Sequence, residues 1–209
     1  MVRITLQSGP NSTFRTGCRG FTLVELLVVT GIIVIVTSIV LVNNNRFGGV
    51  VQLENLTYDI ALTIRQAQVY GISVQGCDPN VIEACAGVNS FRFGYGMHFD
   101  VNDPQHYELF ADADEDGAYS VSENVPPSPY TIRSGYKLHR LCVPQGADAD
   151  SCIPVSQVDV VFHRPEPDAL INNNVAIESA RIVLISPRGD IMSVVVENNG
   201  QISVRRKQQ

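Results

Sequence analysis

The chain has 209 residues, 44% hydrophobic and 17% charged, which excludes a disordered protein and supplies enough apolar surface for one sizeable core with an appendage. Fifteen Lys and Arg against 21 Asp and Glu leave a net charge of −6, the wrong sign for a nucleic-acid-binding domain. Sixteen Gly, eleven Pro and no Trp predict a turn-rich body.

The first predicted element is an apolar helix over residues 21–42. At 1.5 Å per residue it reaches about 33 Å, the thickness of a bilayer's hydrocarbon core. Arg3, Arg15 and Arg19 precede it with no acidic residue, whereas only Arg46 follows before Glu54 and Asp59. The positive-inside rule therefore places residues 1–20 in the cytoplasm and the bulk of the chain outside. The apolar run exceeds that of an ordinary secretory signal and lacks a small-x-small cleavage site at its end. Glu25 lies one turn into the run, where a charge costs on the order of 3 kcal/mol. No Lys, Arg or His between Gly20 and Asn45 can pair with it. Cleavage after Gly20 would supply a cation, the new amine of Phe21.

Gly20-Phe21-Thr22-Leu23-Val24-Glu25-Leu26-Leu27-Val28-Val29 resembles the prepilin cleavage and methylation motif of type IV pilins and type II secretion pseudopilins. The resemblance implies cutting between Gly20 and Phe21 by a prepilin peptidase, N-methylation of Phe21, and a role for Glu25 in registering subunits in a filament. It also implies partnership with other pilin or pseudopilin subunits, assembled from the inner membrane. A plain single-pass anchor with an accidental Glu is the rival reading.

Residues 43–49, Asn43-Asn44-Asn45-Arg46-Phe47-Gly48-Gly49, weaken the helix locally. A helical period returns with Leu53, Leu56, Ile60, Ile64 and Ala67, while Glu54, Asn55, Asp59, Arg65 and Gln66 face elsewhere. Residues 43–75 are thus an amphipathic continuation, ending near Gly71 and Gly76, as in the pilin spine. Residues 76–209 form a β-rich body. Alternation puts Phe91, Phe93, Tyr95, Met97 and Phe99 on one face of a strand. Further strands are predicted over 107–111, 136–143, 158–163, 180–186, 190–197 and 201–205. Turn residues at 186–189 and 197–200 make the last three an antiparallel meander. The expected class is α+β, one long helix on an antiparallel sheet. The closing strand-turn-strand from Arg181 resembles GspH/FimT-type minor pseudopilins, and on that likeness a minor subunit is favoured over a major one.

Cys18 would leave with the leader. Of the three pairings open to the other four cysteines, Cys77–Cys85 and Cys142–Cys152 are favoured, because each closes a short turn-rich segment. Neither has the usual spacing of a structural zinc site, and an extracytoplasmic body favours disulfides. His98, His106, His139 and His163 fall in no catalytic motif and read as surface residues. No catalytic residue is assigned, and the chain is expected to be no enzyme.

One motif remains. Asp112, Asp114, Asp116, Gly117 and Glu123 stand at positions one, three, five, six and twelve of a calcium-loop spacing. The Ala118 carbonyl and Ser120 would complete the oxygen shell. A strand precedes this loop, and Pro126-Pro127 forbids a following helix, so the expectation is a stabilising calcium loop between sheet elements. A solvated acidic turn is the alternative.

The resulting expectation is a structural subunit of a pilus or secretion pseudopilus. A DNA-uptake filament shares the motif, and a membrane-tethered binding or enzymatic domain that never polymerises is the alternative.

Overall fold

A computed structural model describes residues 20–73, 76–86, 93–143 and 153–206. Leader residues 1–19, Phe91 and Cys152 lie outside the described residues. Two compact units are distinguished, Met1–Asn44 and Asn45–Gln209, and helix α1 is assigned over Leu23–Ile72. The stretch at 43–49 that the sequence marks as weak is assigned as helix.

Within the first unit, Leu23–Leu41 is long and apolar enough to cross a membrane and none of it is buried within the chain. Its few polar groups are satisfied locally. The hydroxyls of Thr30, Thr37 and Ser38 donate to the carbonyls of Leu26, Ile33 and Val34 at 2.9, 2.7 and 2.7 Å. Such back-bonding removes the donors that an apolar medium would penalise.

In the body, the other part of α1 buries Leu53, Thr57, Ile60, Ile64 and Ala67 completely. Leu56, also expected inward, is partly buried against the same core. At Gly71 the helix meets the sheet backbone: a Cβ there would lie 2.3 Å from the Phe162 carbonyl oxygen, so only glycine permits this approach. The Gln68 side chain ties the helix down further, donating to the carbonyls of Pro167 and Gly200 at 2.8 and 3.0 Å.

The strands are β1 (Gly94–Asp100), β2 (His106–Asp112), β3 (Tyr130–Thr131), β4 (Lys137–Cys142), β5 (Pro154–Val155), β6 (Gln157–Phe162), β7 (Ala169–Ile171), β8 (Ser179–Ile185), β9 (Ile191–Glu197) and β10 (Ile202–Arg206). They form two five-stranded sheets, in orders β3-β2-β1-β6-β7 and β10-β9-β8-β4-β5. Each registered pair is antiparallel. The class is α+β, a pilin-like arrangement, but the single expected sheet is two. One core joins them, with Met97, Phe99, Leu109 and Phe162 from the first, Leu141, Ile182 and Val194 from the second, and Ile60 and Ile64 from α1. The Val- and Ile-rich β8 and β9 pair over their whole length, and β10 completes the expected meander.

Candidate functional site

Two places carry chemistry. At the first, the helix begins at Leu23, so Thr22 stands at its N-cap. Thr22 Oγ1 accepts from the Glu25 backbone N–H at 3.2 Å, and its carbonyl accepts from Leu26 at 3.1 Å. Thr22 and Glu25 thus stand where the two partners of a capping box stand, a local role that the sequence reading missed although the Thr-x-x-Glu spacing signals it. The side chains of Phe21, Leu23 and Glu25 are all exposed. Gly20 stands just ahead of the helix, on non-helical backbone.

The second place grows from the end of β2. Asp112 closes that strand opposite Gly94 of β1 and is 0% exposed. The chain then folds back on itself through residues 113–120. Asp112 Oδ1 accepts from Gly117 N–H at 3.2 Å, Asp114 Oδ1 from Asp116 N–H at 3.2 Å, and Asp116 Oδ1 from Ala118 N–H at 2.8 Å. Gly117 is left-handed with φ of 71°, and a Cβ on it would press on Asn173. One carboxylate oxygen from each of Asp112, Asp114 and Asp116 lies within 4.8 Å of the others.

Glu123, expected as a closing ligand, is 1% exposed and its oxygens span the loop's two ends. Oε1 accepts from Ala113 N–H at 2.8 Å, and Oε2 from the Ser120 N–H and hydroxyl at 3.0 and 2.9 Å. With Ser120 at the N-cap of a 3₁₀ turn over Val121–Glu123, this is a complete capping box. Each oxygen of an ionised carboxylate retains further acceptor capacity.

The surroundings correct the reading of two histidines as surface residues. The His163 ring is partly buried, with Nε2 3.5 Å from Asp112 Oδ2, and burial holds its pKa below the usual range. His98 Nδ1 lies 2.6 Å from Asp159 Oδ1, and its ring stacks on Tyr119 at 4.6 Å. Tyr119, whose aromatic ring departs from the calcium-loop pattern at position eight, also meets the edge of Phe110. Aromatic packing therefore fixes the loop's far side. Asn173, unnoticed in the sequence, donates to the Asp116 carbonyl at 2.8 Å. It and Asn172 hold φ of 50° and 47°, values Asn tolerates better than most residues, and the run Asn172-Asn173-Asn174 is the signal that could have marked the turn.

Burial pushes the Asp112 carboxyl up to about 6, opposed by the Gly117 N–H and reinforced by the charges of Glu123, Asp116 and Asp114. Among the described residues, its Oδ2 accepts no hydrogen bond. Elsewhere in the body Cys77 and Cys85 form a disulfide with Cα atoms 5.9 Å apart. Cys142 is also disulfide-bonded, and Cys152, its expected partner, lies outside the described residues.

The family model described as the prokaryotic N-terminal methylation motif matches residues 15–41. No curated protein and no solved structure matches the chain. The matched stretch contains Gly20, Phe21, Glu25 and most of the apolar helix. It implies processing by a prepilin peptidase and assembly with pilin-type subunits, and it agrees with anchoring in a membrane.

Proposed function

We propose that this chain is a structural subunit of a type IV pilus-like or type II secretion pseudopilus filament, in a minor role. The peptidase cuts after Gly20, the new amino terminus at Phe21 is methylated, and the helix enters the filament core. Before assembly the chain sits in the inner membrane with its leader in the cytoplasm and its body outside. Its work is assembly and display, and no residue is given a catalytic part.

The observation that carries this reading is the junction motif joined to an apolar helix that the chain itself does not bury. A lone anchor needs the apolar length but neither a Gly-Phe junction nor a carboxylate at the fifth mature position. The body's part of α1 adds support. Val51, Tyr58, Leu62, Val69 and Ile72 are exposed at seven-, four-, seven- and three-residue intervals, a stripe suited to packing against another helix.

The test is the mass of the amino-terminal peptide after extraction of the full chain from its native membrane. A start at Phe21 carrying one added methyl group is expected. An intact Met1 start would overturn the reading in favour of a non-polymerising, membrane-tethered domain.

A further inference from the structure

We infer that the turn at residues 112–118 is a calcium site, in which Asp112, Asp114 and Asp116 hold one divalent cation together with the Ala118 carbonyl. This goes beyond filament assembly and does not depend on it.

The first observation is convergence. Three carboxylate oxygens within 4.8 Å of one another leave space for a cation between them and are mutually repelling without one. The second is the state of Asp112. It is wholly withdrawn from solvent, and among the described residues its Oδ2 has no hydrogen-bond donor. Its other oxygen has the single Gly117 N–H, and a carboxylate removed from water with one oxygen unmatched is costly, so buried charges are paired or bind metal. The neutral form favoured by burial leaves the His163 ring, 3.5 Å away, little charge to offer. A cation from solution supplies the missing charge.

The donor set identifies the ion. Carboxylates and a carbonyl, with neither Cys nor His in the cluster among the described residues, select a hard cation over zinc or copper. Calcium accepts an adaptable oxygen shell, whereas magnesium demands a near-ideal octahedron and releases its water reluctantly. The loop supplies oxygens at alternate positions of one short turn, an irregular shell that suits calcium. Glu123 acts here as a positioning residue. By holding Ala113 and Ser120 together it keeps the three aspartates facing one point.

The experiment uses the full chain in detergent, stripped with a chelator. Calorimetric titration with calcium chloride should give one ion per chain. Calcium at roughly a hundredfold above Kd should raise the melting midpoint by about 5–10 °C, and magnesium chloride at the same concentration by much less. The double variant D114N/D116N keeps the amide oxygens that accept the Asp116 and Ala118 N–H groups, and both positions are exposed. It should fold, melt with chelator no lower than the unaltered chain, and lose the calcium shift. An unchanged midpoint with calcium, a full shift in the double variant, or an equal shift with magnesium would each overturn the assignment.

Discussion

Replacing Glu123 with Ala separates a strut from a ligand. The carboxylate accepts three hydrogen bonds, from Ala113 N–H, Ser120 N–H and the Ser120 hydroxyl. Bonds to a charged group are worth about 1.5–3 kcal/mol each in net terms, and they do not add simply. Ser120 is exposed, so water can replace two of the three. Ala113 is buried, and its stranded N–H carries a penalty of about 1–3 kcal/mol. Against these losses, removing Glu123 relieves its repulsion of Asp112. The net loss should be about 2–4 kcal/mol, equivalent to a fall in melting midpoint of about 5–12 °C for a chain of this size. Circular dichroism melts of the full chain in detergent, with chelator present throughout, measure it. Ser122, exposed at the same turn, provides the control as Ser122→Ala. If Glu123→Ala melts within about 2 °C of the unaltered chain under chelator, Glu123 is no strut and matters only when a cation is bound.

Two other substitutions test the frame. Glu25→Ala makes the apolar segment more apolar and leaves Gly20 in place, so insertion and cleavage should persist while recovery in sheared filaments falls several-fold; wild-type recovery would refute the registration role. Gly71→Ala should gain about 1 kcal/mol of helix propensity but lose more, because its Cβ would lie 2.3 Å from the Phe162 oxygen and overpacking costs about 1–3 kcal/mol. Denaturant titration should show net destabilisation, and a variant more stable than the parent would refute that close contact.

The seven long strands were legible because each combines β-branched or aromatic residues with bounding turn signals, as in β8 and β9. The short strands β3, β5 and β7 were not, since two or three residues carry no periodicity. The division into two sheets was equally hidden. It depends on β6 pairing with β1 across more than fifty residues, which no local pattern announces. Residues 43–49 are assigned as helix although they are poor helix formers, because propensity is a weak preference. At the acidic loop, the spacing of Asp112, Asp114 and Asp116 was readable. The partners that seat it, Asn173 and His98, are distant in sequence and nearby only once the sheet forms.

The proposed calcium site would draw its ligands from two kinds of backbone. Asp112 is the last residue of β2, held by the ladder to β1, so one oxygen donor is fixed by rigid sheet before the loop closes. Asp114 and Asp116 are exposed and belong to the turn itself. After Glu123 the chain rejoins the same strand, with Val125 N–H donating to the Leu109 carbonyl and Ser128 Oγ accepting from Leu109 N–H. The excursion therefore leaves β2 at its end and returns to its middle, ahead of the β3 pairing at His106 and Tyr107. Asp112, Asp114, Asp116 and Glu123 accept from groups of the loop itself, and Asn173 donates to the Asp116 carbonyl. Local stability in proteins is partitioned along such lines of contact. A cation bound at the proposed site would act on the turn that follows β2, while the apolar helix that the methylation motif opens is capped by Thr22 at its own start.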